Sequence, residues 1–276
     1  METLHGDVTV PEQPERVVAL GVAAADELIS LGVEPVAVAA DPGTLQDNAP
    51  WLADRIAGTA DADLVPLDGE PNLEAIASAG PDLIVAEAYQ VQDEAVFDRL
   101  NAIAPTIAPA TDAVNPDWDE RLLTTAQALG RTEEAEEIID TITAEFAEAG
   151  AAVPGIDERT YQWVRADPDG YGFGNGSLFE LFGLRPAGNQ DNTQTGDALS
   201  REDTAELDAD LLAVWAQSDE QRAELDADPL FRDLPAVESG TVYYADLAFA
   251  NAINSPAPIS LRWIRDELEP VIGELG

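Results

Sequence analysis

The fold of this 276-residue chain is decided by a stretch that occurs in two related copies. The first copy reads PNLEAIASAGPDLIVAEA over residues 71–88, and the second reads LSREDTAELDADLLAVWA over residues 199–216. A constant shift of 128 residues aligns them without a gap and leaves five identities in eighteen positions, including Glu74 with Glu202 and Asp82 with Asp210. Each copy predicts a short helix followed by a buried strand. The repeat therefore predicts two similar α/β lobes.

Short apolar runs alternate with helical patterns throughout both halves of the chain. The predicted strands are 16–20, 35–39, 82–86 and 106–108 in the first half, and 161–164, 211–215 and 242–244 in the second. The helix between the first two strands is expected to end at Gly32, and a helix over 178–182 and a closing helix over 259–272 are predicted as well. Such alternation is typical of central, mostly parallel sheets.

The region 118–153 differs in character, because it consists almost entirely of helix formers. One apolar stripe recurs there at three- and four-residue steps: Ala135, Ile138, Ile139, Ile142, Phe146 and Ala149. We therefore predict an α/β fold of two Rossmann-like lobes, joined by one long backbone helix, with a ligand cleft between the lobes. The predicted domains are an N-terminal lobe over 1–114, a helical region over 115–154 and a C-terminal lobe over 155–276.

The charge composition excludes several classes of function. There are 55 Asp and Glu against 13 basic residues, all of them Arg, which gives a net charge of −42 at pH 7. A nucleic-acid partner is excluded because phosphates need clustered cations, and an anionic membrane surface would repel the chain. The absence of Cys removes disulfides and thiolate metal sites. With His5 as the single histidine, a metal site built from several imidazoles and most Ser-His catalysis are also excluded, so no metal site is predicted.

The same composition indicates adaptation to high salt, and hence a halophilic source. Ordinary solubility needs a net charge of only about 2 to 8 in a small domain. At roughly 1 M salt the Debye length falls to about 3 Å, so surface carboxylates hardly repel one another there. Acidophilic surroundings that protonate the carboxylates are the alternative explanation.

Sequence motifs for catalysis are missing. The chain has no Gly-x-x-x-x-Gly-Lys phosphate loop, no Gly-x-Ser-x-Gly elbow and no Gly-x-Gly-x-x-Gly after its first strand. Acidic residues are so abundant that chance pairs cannot indicate a glycosidase. We therefore predict that the protein is not an enzyme, and a structural protein or a sensor of the same fold is the remaining rival.

Several segments together resemble one protein family. They are 6–11, 14–20, 27–36, 70–74 with 80–85, 173–184, 199–202 and 228–237. The chain is similar to the substrate-binding proteins of iron-siderophore and vitamin B12 ABC importers, the class III periplasmic binding proteins. The resemblance implies an extracellular protein that captures a ferric siderophore and delivers it to an ABC transporter permease dimer. The alternative ligand is cobalamin or haem.

Further properties follow from the same resemblance. Iron would enter only as part of the bound chelate, so no cofactor is expected, and the protein is expected to be a monomer. The full-length protein is expected at the cell surface, associated with the membrane, while this chain is soluble. Relatives carry a lipidated Cys after a signal peptide, so we expect the anchor upstream of this sequence.

Glu74 and Glu202 are the candidate residues for permease docking. Asn72 and Ser200 are good N-cap types, which would put each Glu at the second position of its helix. The resemblance implies that such a pair forms salt bridges with permease arginines, with Glu70 as a weaker candidate. Either residue alone is also explained as a carboxylate that stabilises a helix N-terminus.

The candidate ligand-binding residues are Arg165, Tyr89, Trp51 and Phe249. Arg165 is predicted to follow the strand over 161–164 and to enter a Gly-rich loop over 166–176, where a guanidinium could bind an anionic chelate. The resemblance implies cleft positions for all four residues. The alternatives are a salt bridge of Arg165 with Asp167 or Asp169, and packing of the aromatic residues within the lobes.

One departure from the family constrains the ligand. Hydroxamate-binding relatives carry an Arg just before the Glu-Pro-Asn segment, where this chain has Asp68-Gly69. Few Arg residues in the first lobe argue against a highly charged catecholate. A neutral or weakly charged ferric chelate, or a cobalamin, stays open, held by one or two Arg and by aromatic faces.

Overall fold

The chain folds into two α/β units. A computed structural model describes residues 1–10, 13–66, 69–111 and 116–276. Unit 1 comprises Met1–Asp140 and Ser255–Leu261, and unit 2 comprises Thr141–Asn254 and Arg262–Gly276. Parallel strands and helices build both units, so the predicted fold class is confirmed. The predicted domain boundary between residues 114 and 115 lies outside the described residues.

Unit 1 is organised around a parallel sheet. Its described strands are β1 (Glu2–Thr3), β2 (Gly6–Asp7), β3 (Val17–Ala19), β4 (Ala37–Val38), β5 (Leu83–Val85) and β6 (Thr106–Ile107). The first two strands form an antiparallel hairpin, and the others form one parallel sheet in the order β4-β3-β5-β6. Val17 packs into one hydrophobic cluster and Val18 into another, so both faces of the sheet are covered. This is why its strands are continuous apolar runs in the sequence.

The helices of unit 1 cover these two faces. They are α1 (Val22–Ser30), α2 (Leu45–Asn48), α3 (Ala53–Ile56), α4 (Leu73–Ser78), α5 (Glu94–Asn101), α6 (Trp118–Leu129) and α7 (Thr132–Ala151), which continues into unit 2. Gly32 follows α1 with φ of 72°, the left-handed conformation that ends helices. The apolar stripe of the long helix is confirmed by Ala135, Ile142 and Phe146, which are fully buried.

Unit 2 is built on a mixed sheet. Its strands are β7 (Thr160–Asp167), β8 (Gly170–Phe173), β9 (Arg185–Pro186), β10 (Leu199–Ser200), β11 (Leu211–Trp215) and β12 (Val242–Ala245). The strand order is β10-β8-β7-β11-β12, with β9 also paired to β7. Strands β7, β11 and β12 run parallel, whereas β8 is antiparallel to both β7 and β10.

The predicted Gly-rich loop over 166–176 is wrong. The chain turns at Pro168 and Asp169 and returns as β8, with Asp167 opposite Gly170. Arg165 therefore lies inside β7 and not after the end of a strand. The region predicted as a helix over 178–182 is a 3₁₀ helix, Ser177–Phe182.

The remaining helices follow the chain through unit 2. They are α8 (Asp219–Ala227), α9 (Pro229–Arg232), α10 (Pro235–Ser239), α11 (Leu247–Asn254) and α12 (Pro258–Gly273), whose first residues belong to unit 1. Further 3₁₀ helices are Ile156–Glu158 and Arg201–Glu206 here, and Ala88–Val91 in unit 1.

The two copies of the repeated stretch make equivalent contacts. Asp82, just before β5, accepts hydrogen bonds from the backbone N–H groups of Glu15 and Arg16, just before β3. Asp210, just before β11, accepts hydrogen bonds from the backbone N–H of Thr160 at the start of β7 and from the Arg159 guanidinium. In each unit the repeated Asp thus fixes the start of the neighbouring parallel strand. Burial opposes ionisation of Asp210, but these hydrogen bonds outweigh it and lower its pKa.

Candidate functional site

Glu74 and Glu202 are both exposed at the second position of their helices. The Asn72 side chain accepts a hydrogen bond from the backbone N–H of Ala75, so the predicted N-cap of α4 is confirmed. Ser200 is the N-cap residue of the 3₁₀ helix Arg201–Glu206, but its hydroxyl donates to Asp203 instead of accepting a backbone N–H. Both carboxylates thus lie exposed at the second position of a helix, but the N-cap residues of the two helices form different hydrogen bonds.

Tyr89 lies at the carboxyl edge of the unit 1 sheet. It belongs to the 3₁₀ helix that follows β5, and 51% of its surface is exposed. The neighbouring Gln90 is buried and donates to the carbonyl of Leu20, while its carbonyl accepts from the backbone N–H of Glu87. These bonds join the ends of β3 and β5 and hold the segment that carries Tyr89. Burial and the nearby Glu87 raise the pKa of the Tyr89 hydroxyl.

Trp51 is partly buried and packs against the core of unit 1. It precedes α3, whose residues Ala53 and Ile56 belong to the same core cluster. Its ring therefore contributes to the packing of unit 1, as the alternative reading of the sequence expected.

A buried charge cluster at the same edge of the sheet was missed by the sequence prediction. The Arg121 guanidinium donates two hydrogen bonds to Glu27 Oε1 at 3.0 and 2.8 Å, and the Thr125 hydroxyl donates to Glu27 Oε2 at 2.7 Å. Glu87 is buried beside this pair, and a cavity of about 10 Å³ lies among the three charged groups, close to the room that one water needs. A Cβ on Gly21 would lie 2.5 Å from Glu87 Oε1, so a larger residue there would displace the Glu87 side chain.

Burial and charge act together on this cluster. Burial and the negative charge of Glu27 raise the pKa of Glu87, although the positive Arg121 opposes the shift. Burial disfavours the charge of Arg121, but the surrounding carboxylates outweigh it and raise its pKa. The available signal was the pair Asp26-Glu27 inside an otherwise apolar helix, because buried carboxylates need partners.

Arg165 forms the ion pair that the alternative reading named. Its guanidinium binds the Asp167 carboxylate with nitrogen–oxygen distances between 2.8 and 3.1 Å. This fork of hydrogen bonds raises the pKa of Arg165 further above its usual range. The side chain is half exposed, but its charge is already compensated within β7.

Phe249 is fully buried in unit 2. Its ring packs against Tyr243 at 4.6 Å, Trp163 at 5.8 Å and Trp263 at 6.4 Å between centroids. In the described conformation Phe249 is a core residue, and a ligand role stays a prediction.

A cavity of about 380 Å³ opens at the carboxyl ends of β11 and β12 in unit 2. It is lined by Trp215, Ala216, Gln217, Ser218, Asp219, Arg222, Tyr244, Ala245, Asp246 and Leu247. The sequence prediction placed Trp215 at the end of a strand and did not single out Arg222 or Tyr244. The end of the predicted strand 211–215 was the signal, since ligands of α/β proteins bind outside the carboxyl ends of strands.

The structure thus divides the predicted residues between the units. Unit 1 carries Glu74, Tyr89 and Trp51, and unit 2 carries Glu202, Arg165 and Phe249. Asp68 lies outside the described residues.

The described residues contain neither a candidate metal cluster nor a candidate membrane span. No group of three or more His, Asp or Glu side chains lies close enough together there to hold a metal ion. No helix within the same residues is both long and apolar enough to span a bilayer.

Two known proteins similar to this chain carry the name of the ligand that they bind. The Fe(3+)-citrate-binding protein YfmC of Bacillus subtilis (strain 168) is 29% identical over 250 residues, which cover 88% of this chain and 76% of the relative. The probable siderophore-binding lipoprotein YfiY of the same strain is 28% identical over 260 residues, covering 86% of this chain and 76% of the relative. Both names describe proteins that bind iron chelates.

A solved structure matches the whole chain. It is the periplasmic solute binding protein from Mycobacterium smegmatis str. MC2 155, with a TM-score of 0.83 and 26% identity, over 100% of this chain and 98% of that one. The family model for periplasmic binding proteins matches residues 17–248, which run through most of both units. The chain therefore belongs to the periplasmic binding protein family, as the resemblance of its motifs predicted.

Proposed function

We propose that this protein captures a ferric siderophore or a related Fe³⁺ chelate outside the cell and delivers it to the permease of an ABC importer. The observation that carries the proposal is the alignment of 88% of the chain with an Fe(3+)-citrate-binding protein. The siderophore-binding relative supports the same ligand class over 86% of the chain.

The cavity at the ends of β11 and β12 supports a binding role. Its volume of about 380 Å³ falls within the range of small-molecule sites, and Trp215 and Tyr244 supply aromatic faces. In this proposal iron arrives as part of the chelate, and the protein needs no cofactor of its own. The iron-chelate relatives do not favour cobalamin or haem as the ligand.

Ligand titration tests the proposal. The purified chain is titrated in molar KCl with ferric siderophores, ferric citrate, haem and cobalamin, and tryptophan fluorescence is followed. We expect saturable quenching by at least one ferric chelate, because Trp215 lines the cavity. Quenching by cobalamin or haem alone would replace the ligand, and quenching by none would overturn the proposal.

Glu74 and Glu202 are the proposed contacts to the permease dimer. Their support is the equivalent position in the two repeat copies together with exposure, which leaves both carboxylates accessible to permease arginines. Such exposed pairs gain specificity by geometry, because acidic charge is abundant over the whole surface.

Charge reversal tests this docking role. We expect Glu74→Arg combined with Glu202→Arg to abolish uptake of radioactive iron chelate by cells that carry the cognate importer, with unchanged affinity for the chelate. Glu133→Arg is the matched control, because Glu133 is also exposed at the second position of its helix, α7. If the control variant loses uptake as fully as the double variant, the effect comes from charge reversal at any helix N-terminus. If the double variant loses affinity for the chelate, Glu74 and Glu202 act in ligand binding and not in docking.

The proposed station is the outer cell surface, associated with the membrane, as the word lipoprotein in the name of one relative suggests. A monomer is sufficient for this task, because one binding protein carries one chelate to one permease dimer. Sedimentation of the protein with and without chelate in molar KCl tests the proposed monomer.

A further inference from the structure

The cavity of unit 2 contains an arginine that forms no ion pair among the described residues. Arg222 lies on α8, and its guanidinium carbon is 4.0 Å from the centre of the Tyr244 ring. Within the described residues no carboxylate lies within ion-pair distance of Arg222, whereas Arg165 is bound by Asp167. The guanidinium therefore rests on an aromatic face with its N–H groups available.

The position of Arg222 is held by its partner. The Tyr244 hydroxyl donates a hydrogen bond to Asp226, one helical turn after Arg222 on α8. Burial and the charge of Asp226 raise the pKa of this hydroxyl, so it stays protonated and keeps donating. Tyr244 thus ties β12 to α8 and presents its ring as a platform under Arg222. Stacking on an aromatic ring leaves the planar fork of a guanidinium free to bind a carboxylate.

The net charge explains why a single unpaired guanidinium can decide whether an anionic chelate binds. At −42, the protein repels an anionic chelate at long range unless salt screens the field. In about 1 M salt, where the Debye length is about 3 Å, only groups in contact with the ligand act on its charge. An anion that enters this cavity therefore needs a cation within the cavity itself.

The two carboxylates that line the same cavity are engaged locally. Asp246 accepts a hydrogen bond from the backbone N–H of Phe249 at 2.8 Å and so caps α11. Asp219 lies in the first turn of α8, where the helix N-terminus stabilises a negative charge. Neither forms an ion pair with Arg222 among the described residues.

Resting on the proposed function, we propose that Arg222, stacked on Tyr244, binds a carboxylate arm of the ferric chelate, with Trp215 and Leu247 covering its apolar part. Leu247 is 47% exposed at the cavity, which gives the site an apolar wall. The assignment replaces Arg165 by Arg222 as the ligand-binding cation. It also selects carboxylate chelates such as ferric citrate over neutral hydroxamate chelates.

Substitution of Arg222 tests this assignment. We expect Arg222→Gln to raise the Kd for ferric citrate roughly tenfold to a hundredfold, because a hydrogen-bonded charge is lost. Arg222→Lys keeps the charge without the planar fork, so its Kd for ferric citrate should lie between those of the parent protein and Arg222→Gln. Arg232→Gln is the matched control, since Arg232 is an exposed arginine on α9 that does not line the cavity.

The outcomes separate this inference from the proposed function. If the parent protein binds ferric citrate and Arg222→Gln binds it equally well, the inference is overturned while the proposed function stands. If Arg222→Gln weakens a neutral ferric hydroxamate as much as ferric citrate, Arg222 acts on the shape of the cavity, and the inference is also overturned. If the parent protein binds no ferric chelate at all, the proposed function fails and takes the inference with it. Thermal melts of each variant in molar KCl verify that the exposed substitution leaves the fold intact.

Discussion

At the scale of single residues, the ion pair between Glu27 and Arg121 is buried inside unit 1. Both side chains are only 5% exposed, and Arg121 also donates to the carbonyl of Pro256. Buried ion pairs add little net stability compared with apolar residues, but removal of one partner strands the other charge. The pair therefore fixes how α1, α6 and the segment before α12 meet within unit 1.

Substitution of one partner should be costly. We expect Arg121→Met to lower the free energy of unfolding by about 3–5 kcal/mol, because Glu27 stays buried without its cation. Urea unfolding in molar KCl measures the change. The double variant Glu27→Met with Arg121→Met should lose less than Arg121→Met alone, since no charge is then left unpaired. A double variant that loses the sum of both single effects would show that the two residues are not coupled.

Asp26 should make stability depend on pH. Its carboxylate accepts the backbone N–H groups of Ile259 at 2.8 Å and Ser260 at 2.9 Å, at the start of α12. Burial raises its pKa from 3.8 to about 7, against these hydrogen bonds and with a further contribution from the adjacent Glu27. The folded state then binds more protons than the unfolded state between these two values. The Asp26 contribution to stability is fully present below about pH 4 and is lost as the pH rises to about 7.

The variant Asp26→Asn isolates this effect. The free energy of unfolding of the parent protein minus that of the variant should fall by up to about 1.4 kcal/mol per pH unit across this window and stay constant above it. Urea unfolding at several pH values in molar KCl measures the difference. Asp98→Asn, on the exposed face of α5, is the control for removal of a carboxylate. A difference that rises with pH would contradict the assignment.

At the scale of elements, α7 passes unusually close to the 3₁₀ helix Ser177–Phe182. A Cβ on Gly150 would lie 1.8 Å from the carbonyl oxygen of Phe182, and the Phe146 and Phe182 rings pack at 4.7 Å. A glycine inside a helix usually costs about 1 kcal/mol relative to alanine. Here it is required, because only the missing side chain permits this approach.

Alanine at this position should therefore destabilise the protein. We expect Gly150→Ala to lower the free energy of unfolding by about 1–3 kcal/mol, because overpacking outweighs the gain in helix propensity. Gly273→Ala, near the end of α12, is the control, since no heavy atom lies within 4 Å of its added Cβ. The measurement is urea unfolding of both variants. A Gly150→Ala variant as stable as the control would mean that α7 moves away at no cost.

The sequence predicted most strands because their signal is local. Runs such as 17–20 and 83–86 are apolar at every position, and the structure buries both faces of β3 and β5. The failure at 166–176 also has a local cause. The turn signature Asp167-Pro168-Asp169-Gly170 followed by Tyr171-Gly172-Phe173 predicts a hairpin, but the glycines suggested a loop.

Other features could not be predicted from local pattern. Arg121 and Glu27 are 94 residues apart in the sequence, and Asp26 meets Ile259 across 233 residues. The cation of the unit 2 cavity has the same origin, because only the fold brings Arg222 on α8 over Tyr244 on β12. Residue type and spacing indicated Arg165, whose charge turned out to be bound by Asp167.

At the scale of the whole molecule, the net charge of −42 opposes folding through repulsion between carboxylates. Most carboxylates are exposed, and the ion pairs found among the described residues engage only a small part of the 55 acidic side chains. Mutual repulsion then favours the expanded, unfolded chain when salt is low. The absence of Lys removes flexible cations that could relieve this repulsion at the surface.

Salt should therefore control folding. The Debye length falls from about 30 Å at 0.01 M to about 3 Å at 1 M salt, so repulsion between neighbouring surface carboxylates is largely screened only in concentrated salt. We expect the protein to be unfolded in dilute buffer at neutral pH and to gain a cooperative melt with a rising Tm as KCl approaches molar concentration, followed by circular dichroism.

Sucrose at the same osmolality is the control, because it favours compact states without screening charge. Restoration by sucrose alone would assign the effect to solvent exclusion, and a melt unchanged between dilute buffer and molar KCl would remove the salt adaptation altogether. Folding in dilute buffer only below about pH 4, where carboxylates are protonated, would instead favour the acidophilic explanation of the same composition.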